Sequence, residues 1–117
     1  MIPELFINQK NNTFKEVAAD YGLDHFGFST QAYFFDYDND TDLDMYLVNH
    51  RQDFQNNTTI DSLVQKNKEP YNSDQLFRND DGKFTNVTIQ AGIENKAWGL
   101  SASIGDFNND NLPDIFV

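Results

Sequence analysis

Apolar positions in this chain come in short runs separated by polar turns, with no long helical stripe. Tyr33-Phe34-Phe35 and Met45-Tyr46-Leu47-Val48 are uninterrupted aromatic and aliphatic runs suited to buried strands. Phe14-Lys15-Glu16-Val17 and Phe84-Thr85-Asn86-Val87 put apolar residues at both ends of a four-residue run, each after a turn containing Asn or Gly. The segment from Asp36 to Asp44 then joins two strands. Helix is poorly supported, because the runs are short and the intervening loops are dense in Asp and Asn, which favour turns. One short helical turn is expected, around residues 60–65.

The hydrophobic pattern repeats. A shift of 70 or 71 residues pairs Leu5-Phe6 with Leu76-Phe77, Asn8 with Asn79, Phe14 with Phe84, Val17 with Val87, Gly22 with Gly92 and Ala32 with Ala102. Self-similarity at a fixed period is the signature of an array of equivalent structural units. The chain divides accordingly into a first repeat (1–49), an inter-repeat connection (50–75) rich in Asn, Asp and Gln, and a second, truncated repeat (76–117). Because the second copy stops soon after its loop, the chain is expected to belong to something larger.

The loops carry the chemistry. Asp36-Tyr37-Asp38-Asn39-Asp40-Thr41-Asp42-Leu43-Asp44 has a carboxylate at every odd position, and Asp106-Phe107-Asn108-Asn109-Asp110-Asn111-Leu112-Pro113-Asp114 repeats the frame. Oxygen side chains at positions 1, 3, 5 and 9, with the carbonyl of position 7, can converge on a hard cation that takes six to eight oxygens at about 2.3–2.6 Å. The candidate metal ligands are therefore Asp36, Asp38, Asp40, Asp42 and Asp44 in the first loop, and Asp106, Asn108, Asp110, Leu112 and Asp114 in the second. The expected cofactor is Ca2+, about two ions, with a structural role. An EF-hand is excluded, since it needs a bidentate acid at position 12 and a following helix, whereas position 12 is Leu47 or Val117. A calcium β-roll is excluded by the absence of its Gly-Gly repeats. Asn108 keeps an oxygen donor but removes a charge, so the second loop is expected to bind more weakly.

Composition narrows the function. The net charge of −11 opposes nucleic acid and anionic membrane surfaces, whose partners gather Lys and Arg. Aromatic residues at 15%, eleven of them Phe, provide too much bulky apolar surface for a disordered acidic tail. Cysteine is absent, which removes disulfides, thiolate zinc sites and cysteine nucleophiles together. No apolar run reaches the roughly eighteen residues of a membrane span. The first residues lack the regions of a signal peptide, so any export signal is expected outside this chain. His25 and His50 have no ligand-spaced partner, Trp98 aligns with Phe28 and is expected to pack a sheet, and Asp53, Asp61, Asp74, Asp80 and Asp81 read as surface charge. Asn11, Asn56, Asn57 and Asn86 begin glycosylation sequons that a chain this rich in Asn produces by chance. No catalytic motif is present, and the chain is not expected to be an enzyme.

The frame resembles the FG-GAP or VCBS repeat of integrin-α-like β-propellers, whose loops run Asp-x-Asp-x-Asp-Gly-x-x-Asp between two strands of a blade. The closer likeness is to secreted repeat proteins of the cartilage acidic protein/UnbV type, on Leu5-Phe6-Ile7-Asn8, Phe14 to Val17, Tyr21-Gly22-Leu23 and the first loop, then Leu76-Phe77-Arg78-Asn79, Phe84 to Val87, Ala91-Gly92-Ile93 and the second loop. One departure is position 6, usually Gly, which is Thr41 and Asn111. Asn tolerates left-handed backbone; β-branched Thr does so at a cost of about 1–2 kcal/mol. The resemblance implies an all-β fold, a fragment of about two β-propeller blades of short antiparallel strands with the Asp-rich calcium loops in hairpins. It further implies a secreted or cell-surface setting and adhesion or recognition of a protein or glycan ligand. The other partners expected are the remaining blades of the parent chain, which would cover Phe34, Phe35, Tyr46 and Phe116. The alternative is a non-catalytic scaffold within a secreted enzyme, such as a polysaccharide-degrading protein.

Overall fold

A computed structural model describes residues 3–25, 27–50, 73–95 and 98–117. The helical turn expected around residues 60–65, with Asp53, Asp61, Asn56 and Asn57, lies outside the described residues. The strands are β1 (Phe6–Asn8), β2 (Phe14–Glu16), β3 (Ser29–Phe35), β4 (Asp44–Asn49), β5 (Gln75–Asp80), β6 (Lys83–Asn86), β7 (Ser103–Gly105) and β8 (Asp114–Phe116), and α1 (Ala18–Tyr21) is one turn of helix. All pairings are antiparallel. The fold is therefore all-β, built of short strands as in a fragment of a β-propeller.

One four-stranded sheet, ordered β3-β4-β5-β6, stands between two hairpins, β1-β2 and β7-β8. It takes β3 and β4 from the first sequence repeat and β5 and β6 from the second, so the structural unit straddles the sequence unit. By repeat equivalence β1-β2 corresponds to the β5-β6 half of such a sheet, and β7-β8 to the β3-β4 half.

The run Met45 to Val48 has no polar interruption because β4 is covered on both faces. Met45 and Leu47 point to one side, where they pack with Ala18, Leu23, Phe77 and Phe84, flanked by Leu5 and Tyr21 from the first hairpin region. Tyr46 and Val48 point to the other, where they join Phe35, Leu76, Val87 and Ala102, flanked by Ile104 and Ile115 of the second hairpin. Alternation thus divides one strand between two cores. Phe35 and Tyr46, expected to await a missing neighbour, are already covered within the chain at 9% and 2% exposure, whereas Phe34 and Phe116 remain exposed.

The Tyr-Gly-Leu and Ala-Gly-Ile motifs end helical turns. Gly22 has φ +78°, and the Leu23 and Gly22 N–H groups donate to the Ala18 and Ala19 carbonyls at 2.8 and 3.2 Å, a Schellman closure. Gly92, at φ +71°, closes the second copy through Ile93 to Thr88 and Gly92 to Ile89. Each turn folds the chain back onto its sheet after a Phe-x-x-Val strand.

Candidate metal centre

The first Asp loop fills the β3–β4 hairpin and the second fills β7–β8, both within equivalent strands. They share a set of internal hydrogen bonds at positions 1, 5 and 9. Asp36 accepts the Asp40 and Thr41 N–H groups at 3.1 and 3.0 Å, and Asp106 accepts those of Asp110 and Asn111 at 3.1 and 2.9 Å. Position 5 accepts from position 7, Asp42 to Asp40 at 2.9 Å and Leu112 to Asp110 at 2.8 Å. Position 9 accepts from position 2, Tyr37 to Asp44 at 2.9 Å and Phe107 to Asp114 at 2.8 Å. Both loops take left-handed backbone at positions 4 and 6: Asn39 and Thr41 at φ 62° and 78°, Asn109 and Asn111 at 62° and 66°. Thr41 thus keeps the conformation that glycine would hold without strain.

Asp36, Asp38 and Asp40 each present a carboxylate oxygen within 4.8 Å of the others, a group that could hold a metal ion. The donors are all hard oxygens, which suits a hard divalent cation. The other first-loop candidates are engaged elsewhere. Asp42 accepts the Asp81 N–H at 3.1 Å, turning its carboxylate toward the β5–β6 turn, so what it can offer the loop centre is its carbonyl. Asp44, fully buried, accepts Tyr37 N–H on one oxygen and Asn79 N–H, at 2.8 Å, on the other. Each of those oxygens retains a lone pair. Burial pushes the Asp44 carboxyl above its ordinary range, and the charges of Asp38 and Asp40 add to this against the pull of the two N–H donors. In the second loop the N–H donated by Asn111, with further backbone donors, holds Asp106 below the ordinary range. Asn108 donates to Asp110 at 2.9 Å and accepts the Asp110 N–H at 3.0 Å, so positions 1, 3 and 5 carry two carboxylates where the first loop has three.

Two groups escaped the sequence reading. Asn79 ties the first loop to β5: its N–H reaches Asp44, its amide donates to the Leu43 carbonyl at 3.1 Å, and its Oδ1 accepts the Gly82 N–H at 2.8 Å. The signal was the Asn that closes both Leu-Phe-x-Asn motifs. The second is Asp74, expected at the surface but 1% exposed. Its carboxylate accepts Tyr46 O–H at 3.0 Å, Asn49 N–H at 2.8 Å and the Asn95 amide at 2.9 Å, so it is a structural acceptor beside β4. Asp80, by contrast, lies at the surface as expected, where it pairs with Arg78 at 3.0 Å.

The remaining candidates have structural surroundings. His25 contacts the Gly22 carbonyl at 3.0 Å and lies 5.2 Å from the Phe77 ring. His50 bridges to Trp98 through the backbone, and the Trp98 side chain stays 57% exposed rather than packed. Asn86 accepts both the N–H and O–H of Thr88, closing a turn. Among the described residues no helix is long and apolar enough to cross a membrane.

Short antiparallel sheets stacked face to face, with equivalent Asp-lined hairpins in successive units, define a repeat protein of the propeller type. A family model described as an FG-GAP-like repeat matches residues 53–117, more than half of the chain, which therefore belongs to that family. The match covers the second loop; the first is tied to it by the internal repeat and by the hydrogen bonds that positions 1, 5 and 9 accept in both loops. No curated protein and no solved structure matches the chain.

Proposed function

We propose that the chain is a calcium-binding module of a β-propeller, in which about two Ca2+ ions lock hairpin loops and the assembled propeller recognises a protein or glycan ligand outside the cell. The observation that carries this is the convergence of Asp36, Asp38 and Asp40 in a loop whose backbone bonding is duplicated in the second repeat. Three carboxylates within 4.8 Å repel one another, and a divalent cation among them reverses that repulsion. The first site would be built from Asp36, Asp38, Asp40, the Asp42 carbonyl and Asp44, the second from Asp106, Asn108, Asp110, the Leu112 carbonyl and Asp114. Affinities of roughly 10⁻⁴–10⁻³ M, the range of extracellular modules, match a secreted or cell-surface setting. The Leu-Phe-x-Asn and Ala-Gly-Ile units support a place near the cartilage acidic protein/UnbV-type repeats. In this reading the chain carries no catalytic step.

Calorimetry with Ca2+ and Mg2+ tests the metal assignment. The expected result is binding of about two Ca2+, the stronger site in the first loop, with no comparable response to Mg2+. Asp36→Ala together with Asp106→Ala should abolish it; an unchanged titration in that double variant defeats the assignment.

A further inference from the structure

The structure assigns Asn79 a positioning role at the first Asp loop: from β5 it holds the loop at positions 7 to 9 and so sets the cation affinity of that site. The inference rests on the calcium reading above and adds a determinant 35 residues away from the ligand it holds.

The two halves of the loop are held differently. Asp36 and Asp40, at positions 1 and 5, accept N–H groups of the loop itself. Positions 7 to 9 are gripped from the β5–β6 turn. Asp81 N–H reaches the Asp42 carboxylate at 3.1 Å, the Asn79 amide reaches the Leu43 carbonyl at 3.1 Å, and the Asn79 N–H reaches Asp44 Oδ1 at 2.8 Å. Leu43 lies between two candidate ligands, the Asp42 carbonyl and the Asp44 carboxylate, so a hydrogen bond to its own carbonyl restrains the chain that joins them.

The turn that does this is itself braced. Asp81 and Gly82 form a two-residue loop between the paired Asp80 and Lys83, with left-handed backbone at φ 55° and 82°. That conformation matches the twist of the flanking strands. Asn79 closes the turn, its Oδ1 accepting the Gly82 N–H at 2.8 Å. Tyr21 of α1 backs it, since a Cβ added to Gly82 would meet the Tyr21 ring at 3.3 Å. The amide orientation of Asn79 follows from its partners, because a carbonyl only accepts and an N–H only donates. One side chain thus holds the turn with its oxygen and the loop with its nitrogen.

Residues that orient ligands without touching the metal still govern affinity, and losing one costs about 10–100-fold. Asn79→Ala keeps every candidate ligand and the net charge, so a weaker site in that variant reports positioning rather than ligand loss. Coupling is reciprocal, and the bound cation must in turn steady the β5–β6 turn.

The test is calorimetry with Ca2+ on the full chain carrying Asp106→Ala, which leaves the first site to be read alone, and on that parent with Asn79→Ala or Thr88→Ala added. Thr88 is the control. It is buried and its hydroxyl accepts the Leu76 N–H at 2.9 Å, so its loss loosens β5 without touching the loop. Asn79→Ala should bind one Ca2+ about tenfold more weakly than the parent. Thr88→Ala should lower the urea midpoint and keep the parent's Kd. Hydrogen exchange on the parent needs no Asn79 variant and decides the matter even if Asn79→Ala fails to fold. Ca2+ should slow exchange of the Asp81 and Gly82 amides. It should leave the Lys10 amide unchanged, which Asn8 holds at 2.8 Å in a turn that, among the described residues, bonds to neither loop. An unchanged Kd in Asn79→Ala, equal losses in Asn79→Ala and Thr88→Ala, or equal slowing at Gly82 and Lys10 overturns the inference while the calcium reading stands. A parent that takes up no Ca2+ overturns that reading and the inference with it.

Discussion

At the scale of single residues, the two loops are a controlled pair in which one side chain differs at the strained position. Thr41 and Asn111 occupy position 6 with φ 78° and 66°. A left-handed conformation costs an ordinary L-residue about 1–2 kcal/mol, less for Asn, whose short polar side chain tolerates it. Glycine removes that strain but loses about 0.5–1 kcal/mol of chain entropy on folding. For Thr41→Gly the relief wins, and a stabilisation of about 0.5–1 kcal/mol is expected, read as a higher urea midpoint at unchanged slope. For Asn111→Gly the two effects nearly cancel and the midpoint should hardly move. Equal shifts in both variants would remove strain at Thr41 as the explanation.

At the scale of elements, Asp74 shows what ties the start of β5 to β4. Its carboxylate takes three donors, from Tyr46, Asn49 and Asn95, in a nearly dry setting beside the covered strand β4. The absence of that acceptor takes a hydrogen bond from the buried Tyr46 hydroxyl and the buried Asn49 N–H, so Asp74→Ala should cost about 3 kcal/mol or more, a large share of an ordinary domain's stability. Asp74→Asn retains one oxygen and should cost less, while Asp80→Ala, which breaks an exposed ion pair, should leave the urea midpoint in place. If Asp74→Ala proves as silent as Asp80→Ala, the network has no structural weight. Sequence made the strands β2, β3, β4 and β6 and both loops legible, because aromatic runs and a period of 70 or 71 residues survive in one dimension. It missed Asp74 because an Asp in a polar stretch looks the same whether it meets water or the buried Tyr46 hydroxyl and Asn49 N–H. It also missed that the four-stranded sheet takes half its strands from each repeat, since a period fixes spacing and not the point at which one structural unit ends. Asn79 was visible as a motif position, but its grip on a loop 35 residues away depends on β4 pairing with β5.

At the scale of the whole molecule, the loops differ in how far their occupancy reaches. The first is bonded outward, through Asp44 to Asn79 and through Asp42 to Asp81, so ordering it also orders the β5–β6 half of the complete sheet. The second is bonded within its own hairpin. A ligand that binds the folded chain alone adds about 2.7 kcal/mol per site when present at a hundred times its Kd, which for an affinity of about 10⁻⁴ M needs about 10 mM free calcium. Urea unfolding in calcium should therefore give a midpoint well above that in magnesium at matched ionic strength, a comparison that discounts general screening of the −11 charge. Asp36→Ala alone should remove the larger part of that gap. It takes a carboxylate from the site with three at positions 1, 3 and 5, and it unties the loop that braces the sheet. Asp106→Ala should remove the smaller part, and the two together should abolish it. A gap that magnesium reproduces, or that outlasts both substitutions, assigns the stabilisation to screening and leaves the loops without a cation to hold.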